Sequence, residues 1–564
     1  MRWTSSRGRR AGAGAMVAAL LVLPAACTGP AGPPAEPERI VLAGEVLRTH
    51  AAPAPRVWGL ARGSARVGHV EPLPVPTGWG PSRRTIARAR SAVGAMTLRE
   101  RAGQVIVAHY GGTAPPVDLV RRLHLGGVVL FDHNVAGNDQ VRASNRALQE
   151  SVRRDGRRFG VTVAVDQEGG VVERVTTGTR FPGFMTAGAA GSLALTRAAA
   201  TASGRELAGL GFTADYAPVA DVTVGAADPV IRSRSAGSDP RVVAAHALAA
   251  ARGYRAAGVV PALKHFPGHG SVTADSHLTL PEQRRPLGEL MTSDLVPFRT
   301  GVRAGLPSVM VGHVDVRAVD PGVPASLSEP VVTGLLRGRL GFDGLVVTDA
   351  LNMGAVTRTH DSATAAVAAL RAGADVLLMP PSPRQARDGV VRAVRTRQLD
   401  PRRLDQAATR HVALLMHQRG QRGQRRQVRA PGASWAESAR WSAAAVTSVA
   451  GPCSGRLVGR RVHVTGDPAA VATFRTLGRA AGLRFGRKGT KVRLLGPGDG
   501  ATKGDVVVAL ADPFVLGASR ARVRLATYGS TPGALTALLD VLLGRATAPG
   551  RLPVPVVGVP RPGC

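Results

Sequence analysis

Three cysteines, four lysines and an aromatic content of 4% are the scarcities of this 564-residue chain. Each one narrows what the protein can be. If Cys27 belongs to a leader, Cys453 and Cys564 allow one disulfide at most, and whether they pair stays open. With so few aromatics, a large core has to be built from Val, Leu and Ala, within a hydrophobic fraction of 44%. The lysines stand only at positions 264, 488, 491 and 503, so arginine carries nearly all the basic charge behind a formal net charge of +35. Such a charge suits anionic lipid or an anionic cell wall as well as nucleic acid. The arginines are spread along the whole chain, however, and no nucleic-acid-binding motif accompanies them, so no nucleic-acid partner is expected.

The chain opens with a targeting signal. Arg7, Arg9 and Arg10 precede the apolar run "AMVAALLVLPAA", too short to span a membrane as a mature helix, and then Cys27. The pattern is similar to a lipoprotein signal peptide over residues 1–27, which implies lipidation of Cys27. The expected location is then the extracytoplasmic face of the cell membrane, held by a lipid anchor or secreted. Leu23 lies one position further from the cysteine than is usual, and Pro24 takes its place. Residues 28–83 are rich in Pro and Ala with weak periodicity and read as a tether.

A regular alternation follows over 84–416. Eight β-branched runs recur: "QVIVAHY" (104–110), "GGVVLF" (126–131), "VTVAVDQ" (161–167), "FTADYAPV" (212–219), "PALKHF" (261–266), "SVMVGHV" (308–314), "GLVVTDA" (344–350) and "ADVLLMP" (374–380). Amphipathic Ala/Leu/Arg stretches separate them. Strands alternating with helical patterns indicate parallel βαβ units, and eight of them predict an α/β fold of the (β/α)8 TIM-barrel type. "HQRGQRGQRRQVRAPG" (417–432) has no apolar stripe and reads as a linker. Further strand patterns over 433–564 predict a smaller α/β sandwich-type domain. There, "GPGDGATKG" has the look of a phosphate loop, but Lys503 is followed by Gly504 and the glycine spacing is wrong, so no nucleotide cofactor is expected.

Polar residues gather at the strand ends: Asp166, Lys264, His265, His313 and Asp349. Barrel enzymes place their chemistry at the C-terminal ends of the strands, where the loops converge. Three readings compete for this mouth. A metal hydrolase would take ligands from His265, His269, His277, His313 and Asp349. Against it, strand one supplies a lone His109, and Lys264 would bring positive charge toward a cation. A sugar hydrolase needs a nucleophile or base and a proton donor across the bond. Asp349 fits the first role. Asp275 and His277, an i, i+2 pair that an extended segment would project to one side, fit the second. The carboxylate would fix the imidazole tautomer and leave the other nitrogen to move a proton. The third reading is a non-catalytic sugar-binding lipoprotein.

"VDQEGGVVERV", "DPVIRSRSAGSDP", "KHFPGHGSVTADSH" and "VVTDALNMGAV" resemble, in that order and over about residues 90–420, the family 3 glycoside hydrolases, and more closely their β-N-acetylglucosaminidase branch. The tail 528–554 resembles the end of the second domain in two-domain members. The resemblance implies that Asp349 is a nucleophile forming a covalent glycosyl-enzyme. It also implies that His277 is the acid/base residue with Asp275 as its partner, and that Asp166, Arg174, Arg234, Lys264 and His265 hold the sugar. It implies no metal and no cofactor. The substrate expected from it is a GlcNAc-containing oligosaccharide, a cell-wall muropeptide or a chitin-type chain. Family alternatives are a β-glucosidase, which generally takes a carboxylate acid/base, often from the second domain, and a GlcNAc phosphorylase. Residues 432–564 contain one glutamate, Glu437, near the linker, which argues against the glucosidase.

Overall fold

The structure, a computed structural model, describes residues 78–421, 427–500 and 503–559. The leader, Cys27, most of the tether and Cys564 lie outside these residues. Cys453 is disulfide-bonded.

The eight barrel strands are β1 (Ile106–Ala108), β2 (Gly127–Leu130), β3 (Thr162–Val165), β4 (Ala214–Asp215), β5 (Leu263–Phe266), β6 (Ser308–Val311), β7 (Leu345–Thr348) and β8 (Leu377–Leu378). One arc runs β8-β1-β2-β3-β4 and ends on the short pair Val260–Pro261 that leads into β5; a second runs β7-β6-β5. All of these neighbours are parallel. The bridges Val219 to Lys264 and Val347 to Val376, also parallel, join the two arcs into a barrel. The strands are buried on both faces, which is why they read as unbroken Val/Leu/Ala runs and not as alternating ones.

Each crossover carries a helix, and the local chemistry sets its ends. In Pro240–Ala257 the Asp239 carboxylate accepts the N–H groups of Arg241 and Val242, and Pro240 opens the first turn. Gly258, at φ +81°, takes the left-handed position that stops the helix and turns the chain into the next strand. Among the described residues no helix is long and apolar enough to cross a membrane.

The boundary expected at residue 416 is moved by the structure. The last barrel helix is Pro401–Gln421, so the predicted linker begins inside it. An apolar stripe is missing there because polar contacts hold the final turn: Gln418 is buried and donates through Nε2 to the Thr213 carbonyl at 2.7 Å. Beyond the undescribed residues 422–426, the segment is stitched to the barrel. Arg429 donates its N–H to the Arg205 carbonyl at 3.1 Å, and Gly432 donates to Glu206 Oε2 at 2.9 Å.

The second domain is a six-stranded sheet of β9 (Thr447–Ala450), β10 (Arg461–Gly466), β11 (Arg484–Phe485), β12 (Thr490–Leu495), β13 (Val506–Ala509) and β14 (Val523–Ala526), in the order β9-β14-β13-β12-β10-β11. Only β9 pairs antiparallel. The period of two divides its side chains between two cores. Val506 and Val508 join Phe474, Leu535 and Leu538 of the helices Pro468–Ala480 and Pro532–Leu542. Val507 and Ala509 face the other way and cluster with Met185 and Ala189 of the barrel helix Met185–Ala190. The second domain thus buries one sheet face on the loop system that leaves β3.

Candidate active site

At the ends of β3 and β5 the structure builds a buried ion network. Lys264 Nζ lies 2.6 Å from Asp166 Oδ1 and 2.7 Å from Glu168 Oε1. Arg234 grips Glu168 with two bonds of 2.8 Å, from Nε and from one terminal nitrogen. Burial by itself would raise the Glu168 pKa; Arg234 and then Lys264 outweigh it and hold the carboxyl well below its usual range. Burial would lower Lys264, but Asp166 and Glu168 raise it. Breaking such a pair leaves an uncompensated buried charge, at about 3–5 kcal/mol. These residues therefore fix one another's positions as well as lining the mouth. Glu168 stood in the sequence motif without a role.

His265, the next residue along β5, donates from Nδ1 to Asp221 Oδ2 at 2.7 Å. The other Asp221 oxygen accepts the backbone N–H groups of His265 (3.1 Å) and His269 (2.7 Å). Asp221 is fully buried. Its burial would raise its pKa, and His265 first among its partners pulls it down instead. Asp221 was also missed from the sequence; its one signal was a charge in the apolar run "PVADV". His269 sits edge-on to His265 and pairs through Nε2 with the Ser276 hydroxyl at 2.8 Å. Burial pushes His269 down to about 4, so the ring is neutral at ordinary pH. Its bond to Ser276 ties the loop's two ends together.

Asp349 follows β7. Its backbone N–H bonds to the Val311 carbonyl of β6 at 2.8 Å, and its Oδ1 accepts the Ala350 N–H at 2.8 Å. Burial would raise its pKa; His265, His313 and the Ala350 N–H override it and bring it down to about 2. The carboxylate is ionised at neutral pH. His313, after β6, is fully buried and has its Nε2 3.0 Å from the Ala350 carbonyl, which can only accept. That makes Nε2 the protonated nitrogen, so Nδ1 accepts from the Ser326 hydroxyl at 2.7 Å. His313 thereby fixes the peptide that follows Asp349.

Asp275 and His277 are joined, but not through an extended segment. Asp275 Oδ1 accepts both the His277 Nδ1–H (2.7 Å) and the His277 backbone N–H (2.9 Å), which is an Asx turn. The tautomer this sets leaves Nε2 as the outward nitrogen. The imidazole is exposed, at 61%. The turn is docked on the segment after Asp349: Gly354 donates to the His277 carbonyl (3.0 Å) and Ala355 to the Ser276 carbonyl (3.1 Å). A Cβ at position 354 would meet the His277 oxygen at 2.6 Å, so only glycine permits the docking.

Arg174 stands apart from the network. Its guanidinium lies over the Phe131 ring, 5.0 Å from the centroid, beyond β2, and among the described residues it has no carboxylate partner. Its backbone N–H bonds to Gln167 Oε1 at 2.9 Å, which ties it to the Asp166–Glu168 turn. Among the described residues there is no group of His, Cys, Asp and Glu arranged to hold a metal ion.

Residues 97–414 match the glycosyl hydrolase family 3 N-terminal domain. The chain belongs to this family. Proteins similar to it include a β-hexosaminidase A of Pseudoalteromonas piscicida, 36% identical over 288 residues, 48% of each chain. The chain thus aligns with about half of that relative's length. The β-hexosaminidase LpqI of Mycobacterium tuberculosis is 37% identical over 308 residues, 53% of this chain and 77% of that protein. Among solved structures, a family 3 β-N-acetylglucosaminidase of Paenibacillus sp. FPU-7 superposes with a TM-score of 0.76 at 28% identity, covering 83% of this chain and all of the other. Coverage of 83% of this chain takes in both the family 3 barrel and the second sheet domain.

Proposed function

We propose that the protein is a retaining exo-β-N-acetylglucosaminidase that removes terminal β-linked GlcNAc from cell-wall or chitin-type oligosaccharides. The observation that carries this reading is the docking of the Asp275–His277 turn on Gly354 and Ala355, in the segment that follows the ionised Asp349. A nucleophile and an imidazole proton donor are thereby tied to one segment. In the first step the Asp349 carboxylate attacks the anomeric carbon, the glycosidic bond breaks, and the leaving oxygen takes the proton from His277. In the second, His277 takes a proton from water as that water attacks the same carbon and releases Asp349. Asp166, Lys264, His265, Arg234 and Arg174 hold the sugar. An imidazole donor avoids a second anion beside Asp349. It also repels phosphate less than a carboxylate would, so a phosphorylase is the second reading. The deciding experiment is turnover of aryl β-N-acetylglucosaminide beside aryl β-glucoside, with and without phosphate. We expect the N-acetyl substrate to be preferred and phosphate to leave the rate unchanged. Preference for the glucoside refutes the substrate assignment, and release of a sugar 1-phosphate establishes the second reading.

The same proposal places the enzyme outside the cytoplasm, anchored by lipid on Cys27. The basis is the basic start, the short apolar run and the cysteine that follows it. Cys27→Ser should move the protein out of the membrane fraction. Equal recovery of both forms in the cytoplasm would refute the placement.

A further inference from the structure

The loop that leaves β4 carries two arginines that point to opposite sides. Arg234 turns inward onto Glu168, as described above. Arg232, two residues earlier in the same 3-10 turn, turns outward to the second domain. There its Nε and one terminal nitrogen donate to the two oxygens of Asp512 at 2.9 and 2.8 Å. Asp512 stands just past the C-terminal end of β13, and the guanidinium also lies over the Phe514 ring, 5.5 Å from its centroid. The contact is a fork-to-fork pair, the geometry that fixes direction as well as distance.

The backbone between the two arginines leaves little slack. Arg232 sits at φ +43°, a left-handed conformation that a residue with a Cβ rarely adopts, so its surroundings must impose it. Fully buried Asp228 does so from within the loop. One oxygen accepts the N–H groups of Val230 and Ile231 at 2.9 and 2.8 Å, and the other accepts the N–H of Arg232 at 3.0 Å. On the far side, Ser235 donates its hydroxyl to the Asp221 carbonyl at 2.6 Å, next to the carboxylate that orients His265. Arg234 is therefore held on a short, fully bonded turn whose outer end is clamped by the second domain.

We propose that Asp512 is a positioning residue for the sugar site: by locking Arg232 it sets where the Arg234 guanidinium rests on Glu168. The proposal rests on the assignment of Arg234 to the sugar site. It gives the second domain a part in substrate binding without placing any of its side chains on the sugar. A bare interdomain brace would affect unfolding alone. A positioning residue alters how the folded enzyme binds.

The test is steady-state kinetics of the full chain on aryl β-N-acetylglucosaminide, below the melting temperature of each variant. Asp512→Asn keeps the shape and loses the charge. It should raise KM about 10-fold, and raise Ki for free N-acetylglucosamine equally, with kcat within about 2-fold, the pattern of a contact shared by ground and transition states. Asp512→Glu should recover most of the loss. Arg232→Lys, which retains charge but not the fork, should give an intermediate KM and decides the matter should Asp512→Asn fail to fold. In an Arg234→Lys background, Asp512→Asn should add less than about 2-fold, because the two act through one group. Wild-type KM in folded Asp512→Asn or Arg232→Lys, with only a lowered melting temperature, overturns the proposal. Full additivity with Arg234→Lys also overturns it. Wild-type KM in Arg234→Lys itself is a separate result, which removes Arg234 from the sugar site and the proposal with it.

Discussion

Asp349→Ala should lower kcat/KM on the order of 10⁴-fold or more, while the protein stays folded. The carboxylate makes one backbone hydrogen bond, and the peptide beyond it is held separately by His313, so little of the surrounding geometry depends on the side chain. What is lost is the attacking group. Azide, small enough to enter the space and needing no proton transfer, should restore part of the rate with activated aryl substrates. The product should then be the α-glycosyl azide, since attack comes from the face Asp349 occupied. Near-wild-type turnover, or a β-azide, would refute the assignment. A stability readout accompanies it. Burial would raise the pKa of Asp349, but His265 first, then His313, depress it to about 2, below the roughly 3.9 of an unfolded aspartate. A depressed carboxylate contributes stability that is present above the unfolded value and is lost as pH falls through the folded one. The gap in melting temperature between wild type and Asp349→Ala should therefore be widest near neutral pH and close as pH approaches 2.

The barrel was legible because each strand is buried on both faces and so writes itself as a run, and several of these runs end in a charged residue or a histidine. Asp166, Lys264, His265, His313 and Asp349 drew notice by that rule, and the roles expected of four of them came from the family resemblance. Glu168, Asp221 and Asp512 went unnoticed, for a common reason. Each acts through a partner far off in the chain: Lys264 and Arg234, His265, and Arg232. Their charge is explained only when the fold brings those partners near. The boundary at 416 failed for a related reason. Gln418 is anchored by a hydrogen bond to Thr213, and a pattern of apolar residues cannot register a helix turn held by polar contacts. Asp275 and His277 were paired by spacing, and an Asx turn joins them where an extended segment was expected. Their i, i+2 separation fits both geometries, and Gly354, which decides where the turn docks, lies 77 residues beyond His277.

Removing either Asp275 or His277 should slow cleavage by about 10²–10⁴-fold for substrates with poor leaving groups. Both nitrogens of the imidazole have a task. Nδ1–H is spent on Asp275 at 2.7 Å, which sets the tautomer and leaves Nε2 to give and take the proton. Burial would raise the Asp275 pKa, but the hydrogen bonds from His277 lower it, so the carboxylate is ionised and stabilises the imidazolium form. An alkyl or sugar alkoxide cannot leave without that proton, whereas a dinitrophenolate can. The glycosylation step should therefore fall steeply with natural-type substrates and little with dinitrophenyl ones. Asp275→Ala and His277→Ala should also be non-additive. Once His277 is gone, Asp275 has nothing to orient, so the double variant should lose little beyond the worse single one. The competing account is a solvated loop, for which the 61% exposure of the imidazole argues. Against it stands the docking of the turn on Gly354 and Ala355, which a free loop would not need. Measuring kcat/KM for both substrate types across the four-member cycle separates the two. Near-neutral substitutions favour the solvated loop. Losses that simply add, or that ignore the leaving group, would remove the pair from the proton-transfer step.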